Sequence, residues 1–153
     1  MGLGSFLKNV GSKIFGGGET AEEQAQKVRD HVAKFGFDVS GLTFTVADDK
    51  VTIAGNAKNW EEKNKIYVAA GNVEGIEEVT DNMTVAVQEA EVQVADIVVP
   101  MIRFHAVESG DTLSKIAKEA YGDANEYHKI FEANQPMLTS PDKIYPGQVL
   151  ILP

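Results

Sequence analysis

The stretch LTFTVADDKVTIAGN places Leu42, Phe44 and Val46, then Val51 and Ile53, on alternate positions. Alternation of this kind fits one face of a sheet and does not fit a helix, whose faces recur about every 3.6 residues. Ala47, Asp48, Asp49 and Lys50 between the two runs carry turn chemistry, so the stretch is expected to form a β-hairpin. The flanking segments obey the helical period. Thr20 with Glu23 forms a capping box ahead of an apolar stripe at Ala21, Ala25, Val28, Val32 and Phe35, which Gly36 ends. Asn59 can cap a second helix through Trp60, Lys63, Tyr67 and Ala70 that meets Gly71 at its C-terminal end. Residues 79–87 alternate again, as a third strand. Helix, hairpin, helix and strand in this order predict an α+β layer, αββαβ, with one sheet face covered.

Before this layer, Leu3, Phe6, Leu7, Val10 and Ile14 fall at helical spacing. They predict a short amphipathic N-terminal helix, with Gly11 as a candidate C-cap and the glycines at 16–18 breaking the chain. Lys8, Asn9, Ser12 and Lys13 interrupt its apolar run, which therefore lacks the features of a secretory signal, and a soluble cytoplasmic protein is expected. One short helix with two lysines is weak for stable membrane attachment, so it is expected to dock on the adjoining layer. Residues 89–102, EAEVQVADIVVPMI, hold too much apolar surface for a wet linker and are expected to pack against one or both halves of the chain.

From Arg103 onward the pattern predicts βααβ. Asp111 is expected to cap a helix presenting Leu113, Ile116, Ala117 and Ala120, Gly122 takes its left-handed stop, and Pro136 blocks continuation of the second helix.

Several function classes are disfavoured directly. The 153-residue chain carries a formal charge of -9 and no Lys/Arg cluster, which opposes nucleic-acid binding and favours cations as small partners. Without cysteine there is no thiolate ligand, disulfide or thiol nucleophile. No Ser-His-Asp or paired-carboxylate arrangement stands out, Asp48 and Asp49 read as a solvated turn, and nothing spaces His31, His105 and His128 as zinc ligands. No enzymatic activity is expected.

Two family resemblances organise the chain into segments 1–18, 19–88, 89–102 and 103–153. Val51, Ile53 and Gly55 in KVTIAGNA, Ala69, and Val73, Gly75, Ile76, Val79 and Asn82 in GNVEGIEEVTDNM resemble a BON domain. The segment with Gly110-Asp111-Thr112-Leu113, Tyr121-Gly122, Ala133-Asn134 and Ile144-Tyr145-Pro146-Gly147-Gln148 resembles a LysM domain. That resemblance implies a shallow groove for N-acetylated sugars between Gly110, Asp111 and Thr112 on one side and Ile144, Tyr145 and Pro146 on the other. Glycan binding, or membrane-surface binding through the BON domain, is the alternative reading.

The whole architecture, from MGLGSFLKNVG to SPDKIYPGQVLILP, resembles the small bacterial BON-LysM potassium-binding proteins. That resemblance implies a monomer that binds K⁺, with Rb⁺ or Cs⁺ as related ions, and a role in sensing or homeostasis. It assigns the ligands to main-chain oxygens of Leu7, Val10, Gly71, Val73 and Ile76, with Lys8 or Glu74 assisting. Neutral carbonyls suit a monovalent ion, and a helix C-terminus supplies unpaired ones.

Overall fold

The computed structural model describes residue 6, residues 8–85 and residues 103–153. Leu7, the end of the expected third strand at residues 86 and 87, and the apolar segment 89–102 lie outside the described residues.

Alternation becomes a sheet where it was expected. Strand β1 (Leu42–Ala47) buries Leu42, Phe44 and Val46, and β2 (Lys50–Ala57) buries Val51, Ile53 and Ala57. The two pair antiparallel across the Asp48-Asp49 turn, where Asp48 adopts φ 57°. Helix α1 (Ala21–Ala33) begins at the Thr20–Glu23 capping box and buries Val28, His31 and Val32. Helix α2 (Trp60–Gly71) begins at Asn59, whose side chain accepts from the Glu62 N–H at 2.7 Å. It carries the chain over to β3 (Glu78–Val85), which pairs parallel to β2 and makes β2 the central strand.

The second domain is smaller. Strand β4 (Arg103–Ala106) pairs antiparallel with β5 (Val149–Leu152), and between them lie α3 (Leu113–Tyr121), a 3₁₀ turn (Ala124–Glu126) and α4 (Tyr127–Ala133). Gly122 ends α3 at φ 82°, as expected. The cap of α3 differs from expectation: Thr112, not Asp111, is the N-cap and accepts from the Lys115 N–H at 3.1 Å. The Asp111 carboxylate is already engaged one turn earlier, by the Glu108 N–H at 2.9 Å and His105 Nε2 at 3.0 Å.

The N-terminal segment also departs from its expected form. Over its described residues, 8–18 make a turn, bends and irregular chain with one bridge residue at Ser12, not a helix. Ser12 forms a parallel bridge with Val73, its N–H donating to the Asn72 carbonyl and its carbonyl accepting from the Glu74 N–H. Gly11 lies against that same peptide at φ 107°, in the space a Cβ would need. Strand-like pairing with the loop after α2 thus satisfies backbone groups that a short isolated helix would leave to water.

Both domains contribute to one core. Phe6, Val149 and Ile151 join the α1, α2 and sheet residues, while Leu150 and Leu152 face the other way, into a cluster with Leu113, Ile116 and Ile130. Strand β5 is therefore buried on both faces. The last six residues of α2, Ile66 to Gly71, are all buried, because the sheet, Phe6 and β5 each cover a different side.

Gly55 has φ 116°, and a Cβ there would overlap the Gly41 carbonyl. Gly55→Ala is expected to destabilise the first domain by roughly 2–3 kcal/mol in denaturant unfolding, through strain and backbone displacement together. A loss under about 0.5 kcal/mol would show that this contact does not constrain the sheet.

Candidate functional site

The loop after α2 is where the separate parts of the chain meet. Phe6 N–H donates to the Glu77 carbonyl at 2.6 Å, the Phe6 ring fills the space above Gly71, and the Phe15 ring lies 3.2 Å from where a Gly75 Cβ would be. Gly75 N–H donates to the Lys8 carbonyl. Lys8 Nζ reaches Asp49 at 3.4 Å on the hairpin turn, a solvent-screened pair that contributes little. The N-terminal segment thus runs along the whole of Gly71 to Glu77, and the structure brings Val10 into the same neighbourhood as Gly71, Val73 and Ile76.

These residues differ in how their carbonyls are used. The Val73 carbonyl accepts from the Ile76 N–H at 3.1 Å. The carbonyls of Val10, Gly71 and Ile76 have no hydrogen-bond donor among the described residues, and neither have those of Ala69 and Ala70 in the last turn of α2. Ala69, Ala70, Gly71, Val73 and Ile76 are buried and Val10 is half-buried. A helix C-terminus ordinarily gives its orphan carbonyls to a cap or to water. Here the Asn72 N–H takes only the Val68 carbonyl, and Glu74, Gly75 and Ile76 donate elsewhere. What remains is a group of neutral oxygens at the negative end of a helix dipole. Among the described residues no cluster of His, Cys, Asp or Glu is arranged to hold a metal ion, so the local donor set suits a weakly hydrated monovalent cation, not a divalent one.

Asn72 directly follows Gly71, the last residue of α2. Its side chain holds the second domain: Nδ2 donates to the Val149 carbonyl and Oδ1 accepts from the Val149 N–H, both at 2.9 Å. Tyr67 extends the contact, its ring 5.6 Å from Phe6 on one side and 5.3 Å from Phe104 on the other. No single-sequence pattern marks these pairings, since an asparagine after a helix has the same composition signal whether its amide meets water or a strand 77 residues away.

The residues of the expected sugar groove differ in their surroundings. Gly110 and Thr112 are exposed, and Asp111 is held by Glu108 and His105, which keep its carboxyl below the usual range. On the opposite side Pro146 is exposed and Ile144 packs on the second core. Tyr145 lines a cavity of about 240 Å³ between the domains, with Ser12, His31, Asn72, Lys143 and Gln148. Burial pushes its phenol up to about 12. Of the six expected groove residues, Tyr145 thus also belongs to the wall between the domains.

The chain's relatives agree with this two-domain arrangement. Residues 20–87 match the BON domain model and residues 105–153 the LysM domain model. The potassium binding protein Kbp of Escherichia coli O6:H1 is 45% identical over 157 aligned positions, covering 100% of this chain and 99% of that protein. The chain belongs to the Kbp family. An uncharacterized protein of Deinococcus radiodurans is 49% identical over 49 residues, which make up 32% of this chain and 19% of that relative. Kbp, BON and LysM are binding-type families.

His31, 9% exposed on the wall of the interdomain cavity, stacks edge-on against Phe35. Burial, with Lys34 adding repulsion, lowers its pKa from the ordinary 6.5. The unfolded chain then binds this proton more readily than the folded one, so stability is present above pH 6.5 and is lost as pH falls from there through the folded value. Thermal unfolding should show a falling midpoint from about pH 7.5 to about pH 5.5, flattened in His31→Gln. An equal decline in the variant would assign the effect to other groups.

Proposed function

We propose that this chain is a cytoplasmic potassium-binding protein. Main-chain oxygens of Val10, Gly71, Val73 and Ile76 hold the ion, joined by Leu7 and by the last-turn carbonyls of α2. The observation that carries this reading is the buried end of α2, where carbonyls without donors face a docked N-terminal segment. The Kbp relationship supports the identity of the ion. A bound K⁺ supplies positive charge to oxygens that, apart from that of Val73, have no donor among the described residues, at the negative end of the helix.

Most of the work belongs to the protein's own groups. Phe6 and Phe15 hold the N-terminal segment against Gly71 and Gly75, and the Ser12–Val73 bridge sets its register. The docked segment excludes water from the carbonyls, so the cation is bound in a low-dielectric site that strengthens each ion–dipole contact. A ligand that binds only the docked arrangement stabilises it by mass action. Ordering of the BON domain relative to LysM follows, because the same loop carries the contact to Val149.

Calorimetric titration of potassium-free protein with KCl, against NaCl at matched ionic strength, tests the reading. Saturable heat with KCl alone is the expected outcome, and equal behaviour of the two salts overturns it. Gly71→Ala keeps a good helix residue at the end of α2 but occupies the space of the Phe6 ring. It should weaken K⁺ binding by on the order of tenfold or more while far-UV circular dichroism stays the same. Unchanged affinity would remove the docked segment from the site.

A further inference from the structure

Strand β5 of the LysM domain pairs with β4 along one edge and with side chains along the other. Asn134, 2% exposed, donates to the Ile151 carbonyl at 2.9 Å and accepts from the Ile151 N–H at 2.8 Å. Asn72 does the same for Val149 from the BON domain. A carboxamide presents one donor and one acceptor in the spacing of a peptide group, so two asparagines replace the missing neighbouring strand. One belongs to the LysM fold itself. The other is supplied by the loop that carries the unpaired carbonyls.

Asn72 is held at every polar group. Its N–H donates to Val68, its carbonyl accepts from Ser12, and both amide atoms are committed to Val149. The peptide planes on either side of it bear the carbonyls of Gly71 and of Asn72 itself, and the second of these is pinned by the Ser12 N–H. Fixing the Asn72 side chain on a strand buried on both faces therefore restricts the rotation of both planes.

We infer that Asn72 is the positioning residue through which the LysM domain sets the cation affinity and selectivity of the BON loop. The inference rests on the potassium reading of that loop. Val149 is the fixed point, Asn72 the lever, and the Gly71 carbonyl, in the peptide that adjoins Asn72, what it aims. Thermodynamic linkage makes the coupling reciprocal: occupancy of the loop tightens the hold on β5 by the same factor that β5 raises the affinity. The LysM domain thereby acts as a buttress and a readout at once, and sugar recognition is not required for its presence.

The full-length chain tests this with two variants, Asn72→Ala and Phe104→Leu. Phe104→Leu loosens the same interface at its half-buried aromatic contact with Tyr67 without touching the loop. Each protein is titrated with KCl and with NaCl, and amide exchange at Val149 is followed with and without K⁺. In the parent, K⁺ should slow exchange at Val149. Asn72→Ala should lower K⁺ affinity by on the order of tenfold, narrow the preference over Na⁺, and abolish the K⁺ dependence of Val149 exchange. Phe104→Leu should leave the preference intact. Equal loss of preference in both variants would reduce Asn72 to a generic interface residue and overturn the inference, as would parental affinity and exchange in Asn72→Ala. Failure of the parent to distinguish K⁺ from Na⁺ overturns the potassium reading itself, a result separate from either.

Discussion

A β-strand at the edge of a sheet has to direct its outward N–H and C=O groups at something. In a two-stranded sheet buried within a protein this constraint cannot be met by water, and each unmet group costs on the order of 1–3 kcal/mol. Strand β5 meets it with two asparagine side chains, Asn134 from its own domain and Asn72 from the other. The arrangement of the molecule follows from the second of these. Because Asn72 belongs to the loop that ends α2, satisfying β5 brings the two domains together at that loop.

The same loop is where α2 ends without a conventional cap. Asn72 at φ -82° and ψ 45° is not in the left-handed conformation that would return N–H groups to the last carbonyls. The donors that follow are instead spent on Ser12, Lys8 and Val73. A buried helix terminus in this state has oxygens to offer a cation, and the acidic chain as a whole has no cationic side chain placed to take them among the described residues. The proposed ion site and the interface therefore draw on one feature, the incomplete capping of α2. An ordinary Schellman ending would satisfy the carbonyls and remove both the reason for the docked segment and the lever on Val149.

Much of the fold was legible residue by residue. The Thr20–Glu23 box, the Asn59 cap, the alternation of β1 and β2 and the Gly122 stop are local effects, decided within a few residues by hydrogen-bonding reach and side-chain period. Where local signals competed, contacts distant in sequence decided. Leu3, Phe6, Leu7, Val10 and Ile14 have helical spacing, yet Ser12 pairs with Val73 and the described residues 8–18 form a turn, bends and irregular chain. Asp111 and Thr112 are both good caps, and the hydrogen bonds from Glu108 and His105 to Asp111 decide in favour of Thr112.

By itself the sequence determined two domains, their element order, an acidic chain without cysteine, and the glycines that let backbone segments approach closely. Those properties depend on residue type and on neighbours a few positions away. Only the tertiary structure decided that the N-terminal segment lies along Gly71 to Glu77, that β5 is buried between two cores, and that Asn72 faces Val149. Main-chain oxygens and carboxamides carry these contacts, and every residue has the first while asparagine suits any turn. Their meaning comes from which groups the fold leaves without partners, and that is settled across 77 residues of chain.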